Sequence, residues 1–276
     1  MTLKRFLISF PFAITLLFSF APPASAGTIY IAGDSTTSEY GAEDYPRMGW
    51  GQVLGHFYGD EIEVIDRAQS GRSAKSFINE GFFAGIESQI GPGDILLIQF
   101  GHNDEKFNSP ERYAAPDTDY KRYLEQYVDM ARAKDATPVL LTSIVRRKFE
   151  AGKRVPTHGR YPGAMRELAA EKSVNLIDMT RLSGEFIDRL GEEKSKAIYL
   201  HYTGADGPVE DNTHFSERGA YAMAAIVVRE LDARHIQRYQ PPPEASGQVP
   251  NNAADYAAEL IWIKTQSAFY ETEGIN

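Results

Sequence analysis

A serine following Gly-Asp at the end of an apolar run is the first group in this chain able to do chemistry. Residues Ile29-Tyr30-Ile31-Ala32-Gly33-Asp34-Ser35 would carry a hydroxyl to the edge of a buried sheet. A serine oxygen is a poor nucleophile until a base removes its proton, and an imidazole base needs a carboxylate to hold its ring and balance its charge. Asp211-Asn212-Thr213-His214-Phe215, late in the chain, offers both groups three residues apart on one turn. Attack on a carbonyl also creates an oxyanion, which needs hydrogen-bond donors. Gly71, in Ser70-Gly71-Arg72-Ser73, has a backbone N–H that no side chain shields, and Asn103, in Gly101-His102-Asn103-Asp104, has an amide.

Each cluster alone has an ordinary structural reading. Ser35 is a helix N-cap with Asp34 and Thr36 as further capping groups, Gly71 is a turn residue, and Gly101 to Asn103 form a turn. His102 competes for the role of base, but Asp211 and His214 form the better acid–imidazole pair. The four clusters in one chain favour chemistry over coincidence. Ser35, His214 and Asp211 are the expected catalytic residues, with Ser35, Gly71 and Asn103 as the oxyanion donors.

The elements between these clusters must bring them to one place. Apolar, β-rich runs at residues 28–32, 62–65, 94–100, 138–144 and 174–177 show no polar face, as parallel strands covered on both sides require. Helical patterns are expected over residues 50–58, 82–90, 119–134, 162–172 and 216–235, the last capped by Ser216. This alternation implies right-handed βαβ crossovers and a three-layer α/β/α sandwich around a parallel sheet of about five strands. Ligands of such sheets lie beyond the carboxyl ends of the strands, where Ser35, Gly71 and Asn103 fall.

The chain has 276 residues, a formal net charge of −9 and no cysteine. Lys4 and Arg5 precede an apolar run from Phe6 to Phe20, and Ala24-Ser25-Ala26 then supplies small residues, so residues 1–26 read as a cleavable export signal and the protein as secreted or periplasmic. Residues 27–238 form the expected hydrolase domain, and residues 239–276 a Pro-rich segment followed by a helix packing on it. The acidic balance argues against nucleic acid as a partner, and no membrane association is expected once the signal is removed. Nothing in the sequence fixes an oligomeric state.

In their chain order, Ser35, Gly71, Asn103 and His214 resemble the four blocks of the GDSL-type SGNH hydrolases, over residues 28–231. The resemblance implies a flavodoxin-like fold and a Ser–His–Asp triad, with no metal and no cofactor. Gly-Asp-Ser-Thr, Gly71-Arg72-Ser73 with Ser76-Phe77, Gly101-His102-Asn103-Asp104 and Asp211-x-x-His214-Phe215 look more narrowly like the rhamnogalacturonan acetylesterase branch. That branch implies an enzyme removing acetyl groups from an acetylated plant cell-wall polysaccharide. Other readings are an acetylxylan esterase, a short-chain esterase or lysophospholipase of the same superfamily, and a carbohydrate-binding protein that keeps the fold. Because pectic polymers are polyanions, an acidic protein would need local cations to hold them. Arg72, His102, Arg146 and Arg147 are the expected substrate-binding residues. Lys75, Lys148, Lys153 and Arg154 are further cations, and Tyr161, His201 and Tyr202 possible sugar contacts, although such a charge run can equally be a solvated face.

Overall fold

A computed structural model describes residues 27–58 and 62–238. The expected signal and the C-terminal segment lie outside these residues. Strands β1 (Ile29–Gly33), β2 (Val64–Asp66), β3 (Ile95–Gln99) and β4 (Thr137–Leu141) all belong to one sheet. Two two-residue strands, β5 (Phe149–Glu150) and β6 (Lys153–Arg154), form a small hairpin, and β7 (Asn175–Ile177) completes the sheet. A second hairpin consists of β8 (Tyr199–Gly204) and β9 (Gly207–Phe215). The helices are α1 (Trp50–Leu54), α2 (Ala74–Asn79), α3 (Phe82–Glu87), α4 (Lys121–Ala133), α5 (Tyr161–Lys172), α6 (Met179–Lys194) and α7 (Glu217–Ala233).

The sheet is parallel throughout, in the order β2-β1-β3-β4-β7, the flavodoxin-like arrangement. Its strands alternate between two apolar layers, because successive side chains of a strand leave opposite faces. Ile29, Ile31, Leu97, Val139 and Ile177 pack with Trp50 and Leu54 of α1, Phe186 and Ile187 of α6, and Ala224 and Val227 of α7. Tyr30, Ala32, Leu96, Ile98 and Leu140 face the other way, onto Phe77 of α2, Ile86 of α3, Tyr127 of α4 and Leu168 of α5. Each fully buried Leu, Ile or Phe stabilises the fold by about 1.5–3 kcal/mol. The strands are therefore held from both sides, and the positions of their carboxyl ends are fixed by core packing. Strand order reverses between β1 and β3, so the residues that follow these two strands are neighbours at the switch point.

All five expected sheet strands are present, with ends shifted by at most three residues. The helix expected over residues 50–58 is shorter, since α1 tightens after Leu54 into a single 3-10 turn, Gly55–Phe57. Ser216 caps α7 as expected, its hydroxyl accepting from the N–H of Gly219 at 3.3 Å. Helices α2 and α6 and both hairpins were not expected. In α6 the apolar positions Leu182, Phe186, Ile187 and Leu190 are interrupted by Gly184 and Gly191, and Gly191 (φ 74°) marks a kink.

Candidate active site

The turn after β1 is built by Asp34. Its main-chain carbonyl accepts from the N–H groups of Thr37 and Ser38, both at 3.1 Å, and from both their hydroxyls at 2.8 Å. Its carboxylate Oδ1 accepts from the N–H of Thr36 at 2.9 Å and from its hydroxyl at 2.8 Å. Asp34 and Thr36 therefore do use the bonding expected of capping residues, but they fold a tight turn, and the next α-helix, α1, begins only at Trp50. Ser35 sits on this turn, 7% exposed, and its carbonyl accepts from the hydroxyl of Tyr40 at 2.7 Å.

Asp211 and His214 come from β9, and the hairpin register explains how. Tyr199 pairs with Phe215 and the next residue, Leu200, with Asp211, so residues 212–214 bulge out of the ladder. Asp211 Oδ1 closes this bulge by accepting from the N–H of Thr213 at 2.7 Å and of His214 at 3.0 Å. Asp211 Oδ2 lies 2.6 Å from Nδ1 of His214, and His214 Nε2 lies 2.9 Å from Oγ of Ser35. A carboxylate can only accept, so Nδ1 carries the proton and Nε2 is left to accept from the serine hydroxyl. Partial burial opposes the charge of Asp211, but the ring N–H and backbone N–H of His214 and that of Thr213 outweigh it. They hold the carboxyl well below the usual carboxylate range.

Gly71 follows β2 with φ 81°, a left-handed backbone that favours glycine, and a Cβ there would meet no atom within 4 Å. The glycine is therefore required by the backbone angle and not by crowding. Asn103 follows β3 and is 2% exposed. One of its two amide hydrogens is donated to the carbonyl of Arg72 at 3.0 Å, which ties the loops after β2 and β3 together and leaves the second hydrogen for another acceptor. Asp104 fixes the same junction, because its Oδ1 accepts from the N–H of Ala74 at 3.0 Å. Burial pushes the Asp104 carboxyl well above the usual range.

The four expected substrate-binding residues have different fates. Arg146 lines an open groove and pairs with Glu105 at 2.5 Å. Arg72 is half turned inward, bonded to Glu80 at 2.9 Å and to the carbonyl of Ser70 at 2.8 Å, where it braces the Gly71 loop. His102 is 3% exposed, with its Nδ1 facing Asp34 Oδ2 at 3.3 Å and its ring edge-on to His158 at 4.6 Å. It stands behind the serine turn instead of facing a substrate. Asp34 is fully enclosed, and burial would raise its carboxyl, but the neighbouring His102 and the two bonds from Thr36 lower it below the ordinary value.

Arg147 corrects the expectation of an Arg146–Arg147 clamp. The two side chains leave the backbone in different directions, and that of Arg147 runs inward to Glu192 O (2.6 Å), Ser195 Oγ (3.2 Å) and Asn212 Oδ1 (3.1 Å). Its own N–H donates to the carbonyl of Asn212 at 2.8 Å. A buried guanidinium with its donors engaged cannot hold a polymer, and here it fastens the bulge carrying the acid–imidazole pair. That role, shared by Asn212, escaped sequence reasoning because it depends on a contact 65 residues apart. Other expected contacts are also committed within the fold. Lys75 bonds Pro110 O (2.7 Å), Lys148 pairs with Glu150 (3.1 Å), and Arg154 pairs with Asp188 (2.9 Å). Tyr161 donates to Asp104 O (2.9 Å) and His201 meets Asn212 (2.9 Å), whereas Tyr202 is 39% exposed on the second hairpin.

Residues 31–222 match the GDSL-like lipase/acylhydrolase family. The chain is 43% identical over 206 residues to the Bacillus subtilis protein named Probable rhamnogalacturonan acetylesterase YesY, spanning 75% of this chain and 93% of that one. It is 38% identical over 210 residues to rhamnogalacturonan acetylesterase RhgT of the same bacterium, spanning 74% and 89%. Among solved structures, that of Bacillus subtilis protein YxiM aligns with a TM-score of 0.68 at 29% identity, over 79% of this chain and 59% of that one. Serine, imidazole and carboxylate stand in line where the turn after β1 meets the β8–β9 hairpin, and with this breadth of match the chain belongs to the GDSL-like lipase/acylhydrolase family and is a serine esterase.

Proposed function

We propose that this esterase is an exported enzyme that removes acetyl groups from acetylated rhamnogalacturonan, using Ser35, His214 and Asp211 as its catalytic triad. The observation that carries the mechanism is the unbroken line from Asp211 Oδ2 through the His214 ring to Ser35 Oγ, at 2.6 and 2.9 Å. His214 Nε2 takes the hydroxyl proton as Ser35 Oγ attacks the acetyl carbonyl, and the Asp211 charge balances the imidazolium that forms. The oxyanion is received by the N–H groups of Ser35 and Gly71 and by the free amide hydrogen of Asn103. Collapse of the tetrahedral intermediate expels the sugar alkoxide, which takes the proton from His214. Water then attacks the acetyl-enzyme by the same route in reverse and releases acetate.

The polymer is supported by the names of the two Bacillus subtilis relatives and by the Gly-Asp-Ser-Thr and Gly-His-Asn-Asp blocks. Export is supported by the basic and apolar leader ending in Ala24-Ser25-Ala26. Acetate release from acetylated rhamnogalacturonan, xylan and peptidoglycan, with Ser35→Ala as control, tests the reading. Release is expected from the first, falling by about four to six orders of magnitude in the variant. Release confined to xylan or peptidoglycan would replace the substrate and leave the mechanism standing.

A further inference from the structure

Directly after Asn103 the chain forms one wall of an open groove of about 580 Å³, lined by residues 105–109, Arg146, residues 157–159 and Tyr161. That volume is within the range of small-ligand clefts. Its charges do not cancel. Arg146 is matched by Glu105, and the ring of His158 is taken up by Ile144 O at 2.8 Å and Glu105 at 3.2 Å. Lys106 is the cation left over, since among the described residues it makes no ion pair. Partial burial, and then the nearby guanidinium groups of Arg112 and Arg146, hold its ammonium below the usual lysine range. A protein of net charge −9 thus keeps a locally positive spot beside its candidate oxyanion donor.

The next residue adds a second feature. Phe107 is 74% exposed, against 37% for Tyr45 and 39% for Tyr202, the other large apolar side chains exposed among the described residues. A lone exposed aromatic means little. One placed beside an uncompensated ammonium inside a cleft offers what an acidic sugar presents, an apolar ring face next to a carboxylate. The wall is also preformed. Lys106 N–H donates to Asn103 O (3.2 Å), Phe107 N–H to Glu105 O (3.0 Å) and Ser109 N–H to Lys106 O (2.8 Å). Ordering cost on binding is correspondingly low. Three residues separate Lys106 from Asn103, so their Cα atoms are at most about 11 Å apart, close enough for a neighbouring unit of the same polymer.

We infer that this groove is a subsite for a uronate residue flanking the acetylated sugar, with Lys106 receiving its carboxylate and Phe107 its ring face. The inference rests on the pectic-polymer reading above and places the acidic-sugar contact at Lys106 instead of Arg147. It is tested by calorimetric titration of acetyl-free rhamnogalacturonan oligosaccharides, and of the same oligosaccharides with their carboxyls reduced to alcohols, into wild type, Lys106→Gln and Phe107→Ala. Wild type is expected to bind the acidic ligand about tenfold more tightly than the reduced one, as one charge-assisted hydrogen bond provides. Lys106→Gln erases that preference, and Phe107→Ala weakens both ligands alike. Equal binding of the two ligands by wild type, no binding of either, or a preference that survives in Lys106→Gln overturns the subsite. A carboxylate preference that vanishes in Lys106→Gln, in an enzyme releasing no acetate from the acetylated polymer, would keep the subsite and remove the substrate assignment.

Discussion

The two halves of the proposed triad are held in opposite ways. The serine turn is enclosed. Asp34, Thr36 and Thr37 have no exposed surface and Ser38 has 3%, and the turn grows from a strand covered on both faces. The acid–imidazole pair sits on a hairpin outside the sheet, with the side chains of His214 and Asp211 23% and 32% exposed. The serine takes its position from the core, whereas the imidazole is shaped by its own Asx turn and tied to the body through Arg147, the packed side chain of Phe215 and the Phe215 carbonyl, which accepts from the N–H of Met48. A nucleophile gains from immobility, because small misplacement is costly to rate. A base must return its proton at each turnover, and partial exposure serves that exchange.

The comparison can be broken from the arm first. Asp211→Asn keeps the size of the side chain but removes the charge that fixes the tautomer of His214, and kcat on an acetyl ester is expected to fall about 10⁴-fold. A loss under tenfold would show that the bulge alone orients the ring. Next is Arg147→Ala, which frees the arm without touching a reacting group. Loss of its buried charge-assisted bonds should lower stability by about 2–3 kcal/mol in urea unfolding. A displaced base should reduce kcat by about 10- to 100-fold and slow organophosphate labelling of Ser35 alike, because both need the imidazole to take the serine proton. Unchanged kcat in a destabilised variant would mean that the arm holds its shape unaided.

The smallest effect is expected in the enclosed turn. His102 lowers the carboxyl of Asp34 against the pull of burial. A carboxyl whose folded pKa is depressed adds stability that is present above its unfolded pKa and is lost as pH falls through the folded one. In His102→Gln burial is less opposed and the folded pKa rises. Stability at pH 7 should then fall by about 1 kcal/mol, and acid unfolding should begin at higher pH, by about half a unit to one unit. An acid-unfolding midpoint identical to that of wild type would remove His102 as the support of Asp34.

What the sequence displays follows the same division. Strands such as Leu96-Leu97-Ile98 announce themselves because both faces are buried, and Ser35, Gly71 and Asn103 are legible because they end such strands. The β8–β9 hairpin was not, because Tyr202, Thr203 and Val209 carry no consistent apolar face. Asp211 and His214 were visible only as a motif, and their seat in a strand bulge was not. Arg146 and Arg147 look equivalent as neighbours in sequence, and only tertiary contacts send one to a groove and the other to a staple. Lys106 and Phe107 read as ordinary loop residues until the groove places them side by side.

The bulge at residues 212–214 has a consequence for how such an enzyme can diversify. Outboard of the Leu200–Asp211 pair the ladder is regular, with His201 opposite Glu210, Tyr202 opposite Val209 and Gly204 opposite Gly207. Rungs can be added or deleted there two residues at a time, one on each strand, without shifting Asp211 or His214 relative to Phe215. An unpaired insertion in that stretch would instead slip the register and turn alternate side chains to the opposite face. Indels in this hairpin should therefore come in even numbers, leaving a protrusion whose reach can be lengthened or cut back while the reaction is inherited intact.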